Sequence, residues 1–438
     1  MLNFVTYKML KIIIPIVVIC MAIKLKAQPK TDSLMLHIFD HTESIVAKRV
    51  LQNPANYRLQ IIYTEIDRDK KNLPCFKNFY FNYDPESYFN PASMVKMPLA
   101  FLSLEKLNQL QQPGLNKYTR MQFDSNYIGQ KPLIKDSTSE NGFPSIANFI
   151  KRAFLISEND PYNRMYQFMG QEAINTRLHQ KGYEKIRITR QFMGFDEEQN
   201  RHTNPIKFMK DDGELIFLQT SAYNKAHFDF SKQFLLGKGY LNKKDSLINE
   251  PFDFTKHNYI PLEDFQQILQ SVLFPLSVPK KQRFDLQKND RDFLLKYLSQ
   301  YPSETNYPKY NDSIFYNSYV KFFFHDSTHQ MPQKIRVFNK VGWAYGFLTD
   351  VSYVIDVKNN IEFMLAATIY VNQDEILNDD KYEYETIGLP LLHEVGNLVY
   401  KYDLKRERKY QPDLSAFKLK YETRNPTDKR TTIKEVDN

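Results

Sequence analysis

A serine and a lysine three positions apart are the first residues of this sequence whose types and spacing could do chemistry. Ser93 and Lys96 stand at the start of an apolar run with helical periodicity, residues 94–110. Three residues make nearly one helical turn, so the Lys96 amine is expected on the same face as the Ser93 hydroxyl. A lysine with a lowered pKa can take the proton of a serine, which then becomes a nucleophile. The alternative is a serine that caps the helix, followed by a solvated lysine.

Two further polar residues follow the predicted helix of residues 146–156. Ser157 and Asn159 stand in a short loop before another predicted helix, residues 161–169. A second hydroxyl could relay a proton between the lysine and a leaving group, while an amide could hold a substrate carbonyl and orient the lysine. The alternative is a serine N-cap with Glu158 in the first turn of the helix.

A third motif, Lys340-Val341-Gly342, stands at the end of a predicted strand. Lys340 could fix an anionic group of a substrate, and Gly342 could let a ligand lie against the strand edge. The alternative is a lysine at a strand end and a glycine in a turn. Each motif alone has such a structural explanation, but their order and their places on successive elements favour a single site.

The elements that must position these residues belong to an α+β fold. Alternating, β-rich runs predict five strands, at residues 57–66, 76–83, 334–341, 349–357 and 361–371. Apolar periodicity predicts helices at residues 32–51 and 386–400. We therefore predict a five-stranded antiparallel sheet flanked by N- and C-terminal helices, with an all-helical lobe. Residues 211–330 are a long helical insertion in this lobe, with predicted helices at 262–273 and 290–298.

The three motifs, read here as S-x-x-K, S-E-N and K-V-G, resemble the S-x-x-K, S-D-N and K-T-G set of class A β-lactamases and penicillin-binding proteins. On this resemblance the chain is identified as a class A β-lactamase-related serine hydrolase with a β-lactamase/transpeptidase-like fold. The resemblance covers residues 32–205 and 331–400, and again the helical pieces at 261–300.

The resemblance implies a role for each matching residue. The catalytic residues are expected to be the nucleophile Ser93, the base Lys96, the proton relay Ser157, and Asp196, which would activate the deacylating water. The substrate-binding residues are expected to be Asn159, Lys340 for a carboxylate, Gly342, and Trp343, whose backbone N–H would form the oxyanion hole with that of Ser93.

Three departures from the family pattern bear on these expectations. Glu158 replaces an aspartate, and Val341 replaces a hydroxyl residue that helps to bind the β-lactam carboxylate. The segment over residues 189–205 resembles the family's omega loop, and alignment through Asn200 places Asp196 where the family has its deacylating glutamate. Glu197 or Glu198 could substitute for it. Without such a base, the enzyme would be acylated and stall, as penicillin-binding proteins do.

Several functions remain open at this point. β-Lactam hydrolysis, and with it antibiotic resistance, is the closest named activity, and a D-alanyl peptidase or esterase is second. The third is a non-catalytic relative that binds cell-wall or other ligands. Residues 211–330 would then form its binding surface. The expected partner is a small-molecule or cell-wall peptide substrate, and no cofactor is predicted. The oligomeric state is left open.

The first residues of the chain predict export. Residues 1–27 combine a charged start, an apolar run at 12–23 and Ala27 at a plausible cleavage site, as in a signal peptide. An uncleaved N-terminal anchor is the alternative, although the run is short for a membrane span. The protein is therefore expected to be periplasmic or secreted. Cys75 is the one cysteine left after cleavage, so no internal disulfide is expected.

The charge distribution argues against a nucleic-acid partner. The formal net charge is +8, but four of the lysines lie in the leader and a further excess of basic residues lies in residues 404–438. The remaining body, a hydrolase domain over residues 28–400, is nearly neutral and has no concentrated basic face. Residues 401–438 are predicted to be a charged, flexible tail.

Two histidine pairs have a spacing that could suit metal ligands on a helix. His37 and His41, and likewise His325 and His329, are four residues apart. A metal site needs further ligands, which the sequence does not indicate, so no metal is predicted.

Overall fold

The structure, a computed structural model, describes residues 28–192 and 194–436. The predicted leader, residues 1–27, lies outside them. Within the described residues, no helix is both long and apolar enough to cross a membrane.

Strands and helices both occur along the whole of the described sequence. The strands are β1 (Gln60–Arg68), β2 (Pro74–Phe81), β3 (Arg120–Phe123), β4 (Ile206–Met209), β5 (Leu215–Gln219), β6 (Leu235–Leu236), β7 (Gly239–Leu241), β8 (Leu247–Ile248), β9 (Phe252–Asp253), β10 (Ile335–Ala344), β11 (Phe347–Asp356), β12 (Ile361–Tyr370) and β13 (Ile376–Leu377). The α-helices are α1 (Ser33–Phe39), α2 (Ile45–Gln52), α3 (Lys96–Leu110), α4 (Ile146–Leu155), α5 (Asn159–Met169), α6 (Gln171–Gln180), α7 (Leu262–Leu273), α8 (Lys288–Ser299) and α9 (Leu389–Lys405).

The predicted five-stranded antiparallel sheet is confirmed, with the strand order β10-β11-β12-β1-β2. Successive side chains of a strand point to opposite faces, and both faces of this sheet are covered. In β12, Phe363 and Leu365 pack with α1, α2 and α9. Met364 and Ala366 pack on the other face with α3 and α7. This double cover explains why every residue of β11 and β12 is buried.

The N-terminal helix differs from its prediction. Residues 32–51, predicted as one helix, form α1 and α2. The break is stabilised by Ser44, whose hydroxyl accepts the backbone N–H of Ala47 and so caps α2.

The lobe is not all helical, which corrects the prediction. Its core helix α3 is buried on nearly every side, as expected of a helix inside a lobe. However, β3, β4 and β5 form a small sheet, and residues 235–253 of the predicted helical insertion supply four short strands instead of helices. Strands this short leave little periodic signal in a sequence. The two helices predicted later in the insertion are present as α7 and α8.

The C-terminal segment is packed against the body, which corrects the predicted flexible tail. Helix α9 continues past residue 400 to Lys405. Beyond it, Leu414 and Phe417 are buried in the main core, and Ile433 pairs with Tyr310 in a parallel bridge. Half of the basic residues that suggested a solvated tail lie between Phe417 and Ile433.

Candidate active site

Ser93 lies in a tight turn that precedes α3 and does not cap it. The backbone of Ala92 has a positive φ of 42° and is held by Asn90, whose side-chain oxygen accepts the Ala92 N–H at 2.8 Å. A 3₁₀ turn over Ala92–Val95 follows. Its flanking residues are buried while Ser93 is half-buried, so the turn presents the Ser93 hydroxyl at the boundary between sheet and lobe.

Lys96 is fully buried and connects the site residues. Its amine donates to the Ser93 hydroxyl and to the side-chain oxygen of Asn159, both at 2.7 Å, and also to the Ser157 carbonyl. Burial, together with the nearby charge of Lys340, holds the pKa of Lys96 well below its usual value, against the opposing charge of Glu158. The lowered pKa favours the neutral amine, whose two N–H groups can bind Asn159 and Ser157 while its lone pair accepts the Ser93 hydroxyl, as a base requires.

Ser157 lies between two lysines. Its hydroxyl accepts a hydrogen bond from the Lys340 amine at 2.7 Å and is 3.4 Å from the Lys96 amine. The Ser157 backbone has a φ of 70°, in the left-handed region that non-glycine residues rarely adopt. A hydroxyl between two amines with lowered pKa values can exchange protons with either of them.

Strand β10 brings Lys340 to this cluster. Its amine also donates to the Val341 carbonyl at 2.7 Å, and burial holds its pKa well below the usual value. Gly342 allows the strand to approach the nucleophile turn, because a Cβ at this position would lie 2.5 Å from the Pro91 carbonyl oxygen. The Trp343 ring packs edge-on against Phe322. The oxyanion hole formed by the backbone N–H groups of Ser93 and Trp343 stays a prediction.

The structure does not bring Asp196 into the cluster. Its carboxylate is exposed and accepts the backbone N–H of Gln199 at 2.7 Å, which closes a surface turn. Glu197 pairs with Lys256 and Glu198 contacts His202, so neither replaces it. Among the described residues, the hydrogen-bond partners of Lys96 therefore include no carboxylate from this loop.

An aromatic ring, and not the Asp196 carboxylate, lies beside Lys96. The Phe192 ring centroid is 5.1 Å from the Lys96 amine. The side-chain amide of Asn163 holds this residue: its oxygen accepts the Phe192 N–H at 2.8 Å, and its nitrogen donates to the Phe192 carbonyl at 3.0 Å. Alignment through Asn200 missed this placement, although Asn200 does close the loop by accepting the Gln191 N–H at 2.6 Å.

Sequence reasoning also missed the side chains that hold the Ser157 loop. Arg152 and Tyr310 both bond to the Glu158 carboxylate. The local sequence could have indicated Arg152, because it lies only six residues before Glu158 in the chain. Tyr310 is far away in sequence, and only the fold brings it here.

The histidine pairs do not form a wider cluster. The rings of His37 and His41 meet edge-on with centroids 5.0 Å apart, and those of His325 and His329 are 5.7 Å apart. Within residues 28–192 and 194–436, no group of three or more His, Cys, Asp or Glu side chains is placed to hold a metal ion.

The first two motifs of the site fall in one matched segment. Residues 48–239 match the family described as the Beta-lactamase enzyme family. The segment contains Ser93, Lys96, Ser157 and Asn159, which the fold joins to Lys340 from the C-terminal half. This match covers less than half of the chain and shows similarity to that family within residues 48–239.

Solved β-lactamase structures are also similar to this chain. The enzyme from Sphaerobacter thermophilus DSM 20745 is 12% identical, over 82% of this chain and 96% of that one, with a TM-score of 0.45. The enzyme from Desulfarculus baarsii DSM 2075 is 14% identical, over 83% and 98%, with a TM-score of 0.44. An ancestral class A β-lactamase is 14% identical, over 82% and 99%, with a TM-score of 0.44. No curated protein matches the chain.

Proposed function

We propose that this protein is a serine hydrolase that forms an acyl-enzyme on Ser93, with Lys96 as the base. The observation that carries the proposal is the buried Lys96 amine, 2.7 Å from the Ser93 hydroxyl. Because burial and Lys340 hold the pKa of Lys96 well below its usual value, a neutral amine is available to take the serine proton.

In the proposed reaction, the Ser93 proton passes to the Lys96 amine as the serine oxygen attacks the substrate carbonyl carbon. The backbone N–H groups of Ser93 and Trp343 would hold the resulting oxyanion. The Ser157 hydroxyl then gives its proton to the leaving nitrogen or oxygen, and Lys96 returns the proton to Ser157. The bond to the leaving group breaks, and the acyl group stays on Ser93 until water hydrolyses the ester.

The substrate class we propose is a strained cyclic amide of the β-lactam type. A second candidate is a D-alanyl peptidase or esterase that β-lactams acylate and block. Two observations favour the second: the Phe192 ring lies beside Lys96, and the Asp196 carboxylate is committed to a surface turn. Val341 is buried and offers no hydroxyl to a substrate carboxylate, which also weakens the case for β-lactams as preferred substrates.

The test is incubation with a fluorescent penicillin and, separately, with a fluorophosphonate, followed by intact mass measurement of the wild type and Ser93→Ala. We expect an adduct on the wild type and none on the variant. A penicillin adduct that clears with release of the opened ring supports a β-lactamase, and one that persists supports the peptidase-like enzyme. No adduct from either probe on the wild type contradicts catalysis and leaves the non-catalytic, ligand-binding relative.

We also propose that the enzyme acts outside the cytoplasm, in the periplasm or secreted. The support is the pattern of residues 1–27, a charged start followed by an apolar run and Ala27. N-terminal sequencing of the protein expressed with its leader tests this. A mature chain that begins at Gln28 supports cleavage, and an intact chain in the membrane fraction supports an anchor. An intact chain in the cytoplasmic fraction contradicts export.

A further inference from the structure

The loop that carries Ser157 is held by the buried side chain of Glu158. One carboxylate oxygen accepts from Arg152 through Nε at 2.8 Å and Nη2 at 2.6 Å. The other accepts the Tyr310 hydroxyl at 2.5 Å. Glu158 stands between Ser157 and Asn159 in the chain. Both oxygens of its carboxylate are therefore held by side chains from outside the loop.

The loop needs such support because of its backbone. Ser157 has a φ of 70°, and a left-handed residue with a side chain persists only where its surroundings hold it. Glu158 and Asn159 follow it directly, and the side-chain oxygen of Asn159 must stay within 2.7 Å of the Lys96 amine. A small rotation of this loop would move the proton relay and the substrate-orienting amide together.

Tyr310 is itself held by the C-terminal segment. It is fully buried, in a cluster with Leu155 and Phe315. Ile433 bonds to the residues on either side of Tyr310. Its N–H donates to the Lys309 carbonyl at 2.8 Å, and its carbonyl accepts the Asn311 N–H at 2.9 Å. The end of the chain thus runs parallel to the Tyr310 segment.

Further contacts fix residues 421–436, which we name the C-terminal strap, along residues 302–311. The Glu422 carboxylate accepts the Tyr297 hydroxyl at 2.7 Å and the Asn306 N–H at 3.0 Å. The Arg424 guanidinium donates to the Pro302 carbonyl at 2.7 Å. The strap therefore packs along residues 302–311 and supports the segment that contains Tyr310.

We propose that Tyr310 is a positioning residue, which the C-terminal strap holds against Glu158 so that Ser157 and Asn159 keep their places beside Lys96. This rests on the function proposed above. Tyr310 does not touch the substrate. Its effect is expected in the step that Ser157 serves, the transfer of a proton to the leaving group.

Two probes separate this step from the attack by Ser93. A β-lactam leaves through its ring nitrogen, which needs a proton, whereas fluoride leaves a fluorophosphonate as a stable anion. Loosening the Ser157 loop should therefore slow acylation by a penicillin more than labelling by a fluorophosphonate. A variant that is merely less stable would slow both probes by the same factor.

The experiment compares Tyr310→Phe with Tyr353→Phe in the full-length protein. Tyr353 is a close control because it is also fully buried and its hydroxyl donates at 2.7 Å to a buried glutamate, Glu362, which Arg68 binds. We expect Tyr310→Phe to lower the limiting rate of penicillin acylation about 10- to 100-fold, with an unchanged half-saturating concentration. Fluorophosphonate labelling should fall much less, and Tyr353→Phe should keep both rates.

A wild-type rate with both probes in Tyr310→Phe overturns the proposal, as does an equal fall in the two variants. No adduct on the wild type contradicts the proposed function instead, so the two failures are distinguishable. Should Tyr310→Phe fail to fold, Ile433→Ala keeps the hydroxyl and weakens only the packing of the strap. We then expect a smaller loss of penicillin acylation, and an unchanged ratio of the two probe rates overturns the proposal.

Discussion

Among the described residues, two buried groups of one arginine, one glutamate and one tyrosine use the same donor atoms. The Arg68 nitrogens bind different oxygens of their carboxylate, whereas the Arg152 nitrogens bind the same oxygen. In the sheet, the Glu362 carboxylate accepts from Arg68 through Nε and Nη2 and from the Tyr353 hydroxyl. In the Ser157 loop, the Glu158 carboxylate accepts from the same atoms of Arg152 and from the hydroxyl of Tyr310. We name these the sheet triad and the loop triad.

The two triads differ in what else holds their residues. The sheet triad lies on β1, β11 and β12, whose backbones are already fixed by hydrogen-bonded ladders. The loop triad holds a connection between α4 and α5 that contains the left-handed Ser157. The same chemistry should therefore contribute only stability in the sheet, but both stability and catalytic geometry in the loop.

The largest effects are expected from removal of the arginines. Arg152→Met and Arg68→Met each leave a buried carboxylate without its cation, so each should lower the free energy of unfolding by about 3–5 kcal/mol. Only Arg152→Met should also slow penicillin acylation of the protein that remains folded. Urea denaturation and the acylation rate measure the two effects. Equal losses of acylation in both variants would remove the distinction between the triads.

A pH profile sharpens the comparison. Burial and the Lys340 charge lower the pKa of Lys96, whereas the negative charge of Glu158 raises it. Glu158→Gln should therefore lower the pKa of Lys96 further, so that the amine stays neutral to lower pH. The acid limb of the acylation rate against pH should move to lower pH in Glu158→Gln and stay in place in Glu362→Gln. A shift of that limb to higher pH would contradict this electrostatic account.

The smallest effect concerns the strap, which pairs with Tyr310 of the loop triad through Ile433. Burial alone would raise the pKa of Glu422, but Lys151 and the hydrogen bonds of this carboxylate lower it to about 2, against an ordinary value of 4.5. The carboxylate therefore contributes stability above pH 4.5 that is lost as the pH falls towards 2. Allowing for solvent screening of this partly exposed group, the loss is about 1–2 kcal/mol.

Urea denaturation as a function of pH tests this prediction. The wild type should lose stability between pH 4.5 and 2 more steeply than Glu422→Gln, whose amide does not titrate. The same slope in both proteins would show that Glu422 does not anchor the strap.

The sheet was predictable because its strands are runs rich in β-forming residues, bounded by turn signals. The proximity of five polar residues was also predictable, because each motif lies at the boundary of a periodic segment; they are Ser93, Lys96, Ser157, Asn159 and Lys340. Their catalytic and binding roles stay predictions. Tyr310 could not be found, because it meets Glu158 only through packing of the insertion and the strap. The exposure of Asp196 was not predicted either. Asp196, Glu197 and Glu198 are consecutive, and the sequence does not show which of three neighbouring carboxylates is buried and which is exposed.

The central claim is that Ser93 is the acylated residue, and peptide mapping of the adduct tests it most directly. The wild type is treated with the fluorophosphonate, digested, and analysed by tandem mass spectrometry. We predict a single modified peptide with the label on Ser93, and a label that disappears when Lys96 is replaced by alanine. A label on Ser157 or on any other residue, with Ser93 unmodified, would contradict the account.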